Sequence, residues 1–404
     1  MKLSIIWRIQ QYWCGGKVDY YQDFQKKLEA KEQEQNKRTI KTYEPLDAVC
    51  VKRDHREYIM MASNNYLGLT HEPRVQEAAI QAIQQYGTGS GGARLTSGSF
   101  PLFKELERAI ANFKETEQSL VFNTGYMANV GTITALMNKH SVIISDELNH
   151  ASIIDGCRLS GAQIARYKHK DVEHAEYILK NYKSAHKMII TDGVFSMDGD
   201  IAPLDRLYEL SKDYNALLMV DDAHATGVIG NGRGTAHHFG LTDVDVQLGT
   251  LSKALGSVGG YVAGRKELIE YLINYSRSFI FSTALSPADI GAALETLRIV
   301  DDEPSVVDTL RENTVYMAHK LQAMGIDCDD ETPIFPIVVG ENERALTLAR
   351  ELEKRGIIIT AIRPPTVPVG ESRLRMTVTA AHSKEQLDYV AQTLHELLVD
   401  MNIH

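Results

Sequence analysis

Thr250-Leu251-Ser252-Lys253-Ala254-Leu255-Gly256 follows a short apolar run and sets one lysine among small and hydroxyl residues. Most lysines keep their ammonium in water. A lysine held at the carboxyl end of a buried strand loses that hydration, its pKa falls, and the free amine becomes a nucleophile able to form a Schiff base. A second run, Leu217-Leu218-Met219-Val220-Asp221-Asp222-Ala223-His224, ends an apolar segment in two carboxylates and a histidine. Such an end could hold Mg²⁺, but no GxxxxGK[ST] loop accompanies it to cradle a nucleotide. The other known use is a carboxylate paired with the protonated ring nitrogen of pyridoxal phosphate, whose electronics depend on that partner. Asp221 and Lys253 are the residue types that this pairing needs.

A phosphate would need its own site. Phe122-Asn123-Thr124-Gly125-Tyr126-Met127-Ala128-Asn129 joins an apolar run to a helical pattern through a glycine. A helix N-terminus offers free N–H groups and a favourable dipole to an anion. Gly125 lets the backbone come close. The glycine-dense run Gly87 to Arg94 lacks the strand-GxGxxG-helix setting of a dinucleotide fingerprint and reads as a loop beside a ligand.

These residues need a scaffold. Short apolar runs at Ser119–Asn123, Val142–Ser145, Met188–Thr191, Leu217–Asp221, Val246–Gly249 and Gly260–Ala263 are each followed by turn residues, and most by a helical pattern. That rhythm predicts an α/β fold with a mostly parallel sheet covered by helices. Active sites on such sheets gather at the carboxyl ends of the strands. Beyond residue 300 the pattern changes. Ile334–Val339 reads as a strand broken by Pro336, and Glu343–Arg355 as a helix with Asn342 as N-cap and Gly356 as stop. Ile357–Ile362 and Leu374–Thr379 read as strands. Ser383 with Gln386 fits a capping box before an apolar stripe of Leu387, Val390, Ala391, Leu394, Leu397 and Leu398. The expected division is an N-terminal extension and arm (1–58), a large domain (59–300) and a smaller C-terminal α+β domain (301–404). Within this part, the charged segment 19–45 fits an N-terminal helix or arm.

The chain has 404 residues, with 53 Asp and Glu against 43 Lys and Arg. An acidic balance argues against nucleic acid as a partner. It leaves room for anionic small substrates, since one cleft can oppose the global sign. Cys14, Cys50, Cys157 and Cys328 lie far apart, with no zinc spacing, so free thiols in a reducing cytoplasm and no metal are expected. No apolar run is long enough to span a bilayer. Met1 to Trp13 is interrupted by Arg8 and reads as an extension.

Together these stretches resemble the pyridoxal-phosphate-dependent α-oxoamine synthase family, of aminotransferase-like fold. The likeness also rests on Ser63-Asn64-Asn65-Tyr66-Leu67-Gly68-Leu69, Asn149-His150-Ala151-Ser152 and Gly193-Val194-Phe195-Ser196-Met197-Asp198-Gly199. It runs from about Phe24 to the C-terminus. Gly89 to Gly98 and Ala361 to Pro368 resemble the biotin-pathway branch. Ser145 to Leu159 and the Thr191-Asp192-Gly193 start resemble a glycine-using ligase of the same family more.

The resemblance implies a role for each matching residue. Lys253 is the Schiff-base lysine and Asp221 the ring-nitrogen partner. His224 and Ser196 bond the cofactor's phenolic oxygen, and His150 stacks on its ring and helps to place the substrate. Gly125, Tyr126 and Thr250 bind its phosphate. Ser282 and Thr283 belong to a stretch that relatives use to reach the phosphate in the partner subunit. Asn64 and Arg375 hold the amino-acid carboxylate, and Arg38 and Thr366 contact the acyl substrate. Arg373 shares a strand face with Arg375, so the choice between them comes from the resemblance alone. The implied reaction is a decarboxylative condensation of L-alanine with a pimeloyl thioester, carried on coenzyme A or acyl carrier protein, in a homodimer whose active site lies at the interface. A relative using glycine or serine with another acyl group is the alternative.

Overall fold

The computed structural model describes residues 19–183 and 186–403. The expected extension Met1 to Trp13, with Cys14, lies outside the described residues. A first sheet contains β1 (Glu44–Pro45), β2 (Cys50–Arg53) and β3 (Arg56–Met60). The central sheet contains β4 (Gln118–Phe122), β5 (Ser141–Asp146), β6 (Gln163–Tyr167), β7 (His186–Asp192), β8 (Leu217–Asp221), β9 (Val246–Thr250) and β10 (Gly260–Gly264). Its order is β4-β10-β9-β8-β7-β5-β6, with β10 antiparallel to both neighbours and the rest parallel.

The central strands read as unbroken apolar runs because helices cover both faces. Ile143, Ile190 and Met219 pack with Ile133, Ile153 and Leu272 on one side. Their neighbours in sequence, Ile144, Ile189 and Val220, pack with Val172, Leu204 and Leu207 on the other. This is the two-residue alternation of a strand. Because β5, β7, β8 and β9 are parallel, Asp146, Asp192, Asp221 and Thr250 end on one edge of the sheet. Asp192 stands opposite Asp221 in the register.

The C-terminal part adds β11 (Ile334–Gly340), β12 (Ile357–Ile358), β13 (Thr360–Ile362) and β14 (Ser372–Thr377). A separate core joins Met61, Phe335, Leu374 and Met376 to the expected apolar stripe of helix Lys384–Asp400. The capping box is present: Ser383 Oγ accepts from Gln386 N–H at 3.2 Å, and Gln386 Oε1 accepts from Ser383 N–H at 3.0 Å.

Four local expectations change. Pro336 does not break β11, because β11 is the edge of the order β11-β14-β13, where a missing N–H is tolerated. Asn342 is the first residue of helix Asn342–Lys354 rather than its cap; Glu341 is the cap, and Asn342 Oδ1 accepts from Ser372 Oγ at 2.7 Å. The run 357–362 divides at Ile359, so that β12 pairs with β3 and β13 with β14. The hairpin β2–β3 thereby docks on the C-terminal part. The edge strand β6 carries exposed polar positions and had no apolar run to reveal it. Among the described residues no helix is long and apolar enough to cross a membrane.

Candidate active site at the carboxyl edge of the central sheet

Lys253 sits in the turn after β9, partly buried, with Nζ 2.7 Å from His224 Nε2. Burial pulls its pKa down to about 8; Asp221 and Asp192 oppose that fall and Arg375 adds to it. His224 is buried in the turn after β8. Its Nδ1 lies 2.7 Å from the Tyr66 hydroxyl. Burial first, then Lys253, Arg375 and His150, hold the imidazole well below its usual pKa, so it is neutral.

Asp221 ends β8 and is 3% exposed. Asn129 Nδ2 donates to its Oδ2 at 2.7 Å and Ala223 N–H to its Oδ1 at 2.9 Å. Burial raises its pKa, while Asn129, Lys253 and His150 resist. Among the described residues no lysine or arginine reaches it within ion-pair distance. His150 caps helix Ala151–Ser160, with Nδ1 2.7 Å from Ser152 Oγ. The surrounding protein strips water from its ring and lowers its pKa, against the pull of Asp221. Its backbone N–H donates to Asp192 Oδ2 at 2.7 Å.

Helix Gly125–Leu136 points its N-terminus at this edge. Thr124 Oγ1 accepts from Met127 N–H at 3.1 Å, which leaves the Gly125 and Tyr126 N–H groups without partners among the described residues. A Cβ on Gly260 would stand 2.7 Å from Gly125 N and Cα, so a glycine in β10 lets this helix end come so close. Thr250 lies beside Gly125, its Oγ1 donating to Gly259 O at 2.8 Å. Free helix-end N–H groups, a lysine with a lowered pKa and a buried carboxylate lacking a cation fit a phosphorylated pyridinium cofactor.

Arg375 and Arg373 both lie buried in β14, but their surroundings differ. Arg373 is paired with Asp198 and with Glu371 at 3.0 Å. Arg375 donates to the Ser196 carbonyl, to Asn64 Oδ1 at 3.1 Å and to the Tyr66 hydroxyl at 3.3 Å. Among the described residues no carboxylate neutralises Arg375, so of the two it is the one free to receive an anion.

The structure thus joins Lys253, His224, Asn64, Arg375 and Ser196 through hydrogen bonds, with Asp221 and His150 close enough to act on their charges. It does not bring all the expected residues there. Arg38 and Thr366 line a separate cavity of about 680 Å³, together with Lys31, Lys37 and Arg363. Tyr126 keeps its N–H at the helix end, while its side-chain hydroxyl donates to Asp155. Ser282 and Thr283 lie on a surface segment, where Thr283 O accepts from Asn123 Nδ2 at 2.5 Å. Sequence reasoning missed Tyr66, Asn129, Asp192 and Arg363. All four fall inside or beside motifs it had quoted, which was the available signal.

The family of class I and II aminotransferases matches residues 56–394. The 8-amino-7-oxononanoate synthase of Thermoanaerobacter pseudethanolicus is 49% identical over 87% of this chain and 90% of that protein. The protein of the same name from Lysinibacillus sphaericus is 46% identical over 94% and 99%. Among solved structures, a serine palmitoyltransferase from S. paucimobilis with a bound PLP–myriocin aldimine superposes with a TM-score of 0.91 at 29% identity, covering 96% of this chain and all of that one.

Proposed function

The chain belongs to the aminotransferase class I and II family and, within it, to the 8-amino-7-oxononanoate synthases, and on that premise we propose how its residues condense L-alanine with a pimeloyl thioester. The product is 8-amino-7-oxononanoate, a step of biotin synthesis, and the cofactor is pyridoxal 5'-phosphate. When bound, that cofactor supplies an electron sink for a carbanion at the amino-acid Cα. Lys253 holds the cofactor and, once released, takes the alanine Cα proton; its lowered pKa makes the neutral amine available for this. Asp221 would partner the ring nitrogen, whose positive charge would offset the burial that raises the Asp221 pKa. The Gly125 and Tyr126 N–H groups and Thr250 hold the phosphate, with Ser282 and Thr283 near it from the partner subunit. His150 would cover the ring, and His224 and Ser196 would bond its phenolic oxygen.

Asn64 and Arg375 hold the alanine carboxylate, a planar guanidinium being suited to that shape. The alanine Cα then bonds to the thioester carbon and the thiol leaves. The carboxylate departs as CO₂, and a proton returns to Cα. We place the acyl chain toward the cavity of Arg38 and Thr366, where Arg363 adds positive charge for its far carboxylate. We also read the chain as an arm, a large unit over 59–300 and a small unit over 301–404, working as a cytoplasmic homodimer that accepts coenzyme A or acyl carrier protein thioesters. The observation that carries this reading is Arg375, without a carboxylate partner among the described residues, joined through Tyr66 and His224 to Lys253. The test is turnover of L-alanine with pimeloyl-CoA against glycine with acetyl-CoA by the purified holoenzyme. The first pair should be the faster; faster turnover of the second would overturn the substrate assignment.

A further inference from the structure

Tyr66 is fully buried, and its hydroxyl meets three groups. These are His224 Nδ1 at 2.7 Å, Asn64 Oδ1 at 3.2 Å and Arg375 Nη2 at 3.3 Å. A hydroxyl has one hydrogen to give and two lone pairs to offer. Arg375 can only donate, so it occupies one lone pair. The single hydrogen therefore has two destinations, Asn64 Oδ1 or His224 Nδ1. The other face of His224 has the same ambiguity, because Lys253 Nζ at 2.7 Å can only donate as an ammonium but can also accept as an amine. A neutral imidazole carries one proton, and the bond made by one nitrogen decides the state of the other.

The ammonium allows one pattern, and the neutral amine, which has a lone pair as well as hydrogens, opens a second. In the first, the Lys253 ammonium donates to His224 Nε2, Nδ1–H donates to the Tyr66 oxygen, and the Tyr66 hydrogen goes to Asn64. In the second, Nε2–H donates to the neutral Lys253 amine, and the Tyr66 hydrogen turns to Nδ1. They differ by one proton, lost from Lys253 to solvent. We propose that Tyr66 is a positioning residue, a reversible link that lets His224 change tautomer as Lys253 changes charge, and that Asn64 is the alternative acceptor that makes the reversal possible. This goes beyond the reaction assigned above and rests only on the geometry of the cofactor-free chain, so its failure would leave that assignment standing.

The groups that set the titration are all in view. His224 faces Lys253, Tyr66, Arg375 and His150. Lys253 faces Asp221, Asp192, Arg375 and His224. The experiment is ¹⁵N NMR of histidine-labelled, cofactor-free protein at pH 6.5 and 9.5, with the His224 signals assigned by their loss in His224→Gln. The wild type should change from Nδ1–H to Nε2–H between the two values. Asn64→Ala removes the acceptor that the first pattern needs and should move the change down by about one pH unit or more. Tyr66→Phe should lose the change, or move its midpoint by about one pH unit or more. A wild type with one tautomer throughout, or an Asn64→Ala or Tyr66→Phe protein that switches at the wild-type pH, would each overturn the proposal. The remaining histidine signals report whether each variant is folded.

Discussion

Two lysines meet two consecutive aspartates, with opposite results. Lys114 and Asp222 are both 0% exposed and lie 2.6 Å apart. Asp222 also accepts from the Thr235 hydroxyl at 2.7 Å and from its N–H, and Lys114 donates to the Arg233 carbonyl. Burial works against the Lys114 ammonium, but contact with Asp222 outweighs it and holds the pKa above the usual value. One residue earlier, among the described residues, Asp221 bonds only an amide and a backbone N–H, while Lys253 leans on a neutral histidine. The first pair is closed and complete. The second is held apart and left reactive. Charge type is the same in both and both aspartates are buried; what separates structure from chemistry is whether the cation is allowed to reach the anion.

The sharpest way to break this contrast is to remove each lysine. Lys253→Ala should lower product formation roughly 10⁴-fold, as expected for loss of a positioned general base. Its stability should stay within about 1 kcal/mol of wild type, measured by denaturant unfolding. Lys114→Met should do the reverse. It strands a buried carboxylate and should cost about 3–5 kcal/mol of stability, with the rate per folded, cofactor-loaded molecule within a few-fold of wild type. Pairing it with Asp222→Leu should recover most of the loss, since replacing a whole buried pair by apolar groups is often tolerated. A Lys114→Met protein as stable as wild type would dissolve the distinction.

Much of the Lys253 half was legible in the chain, because local pattern carries it. An apolar strand ending in Asp221-Asp222-Ala223-His224 announces its own position, and Lys253 follows the next strand. What the pattern does not carry is partnership across the fold. Tyr66 and His224 are 158 residues apart in sequence, and Asn129 and Asp221 are 92 apart. Nothing local tells Arg375 from Arg373, both in one strand. The structure separates them because Asp198 takes Arg373. Nor could spacing say that Asp222 rather than Asp221 is the one neutralised. That depends on Lys114, at the far end of helix Pro101–Phe113.

A smaller effect sharpens the Lys253 side. Its pKa of about 8 lies below the ordinary value, so the neutral amine grows with pH up to that point. Uptake of pyridoxal phosphate by cofactor-free protein, followed by absorbance, should rise about tenfold per pH unit below 8 and level off above it. A plateau reached only near pH 10 would mean that Lys253 is not desolvated.

The smallest effect concerns a third charged cluster, at the loop that carries Ser196. His169 lies between Asp146 at 3.1 Å and Asp200 at 2.8 Å. Burial opposes its charge, but the two carboxylates raise its pKa to about 9 from 6.5. A raised histidine pKa contributes stability that is fully present below pH 6.5 and lost as pH rises through about 9. His169→Gln should therefore melt lower than wild type by about 2 °C at pH 6, and the gap should close by pH 10. A gap independent of pH would show packing rather than charge at work.

Asp221, which no lysine or arginine among the described residues reaches within ion-pair distance, is proposed to serve the proton removal assigned above to Lys253. Exchange of the alanine Cα proton in D₂O, followed by NMR on pyridoxal-phosphate-loaded enzyme without the thioester, tests it directly. The wild type should exchange readily. Asp221→Asn, equally folded and loaded, should exchange about 10²–10³-fold more slowly, whereas equal rates in the two proteins would contradict the account.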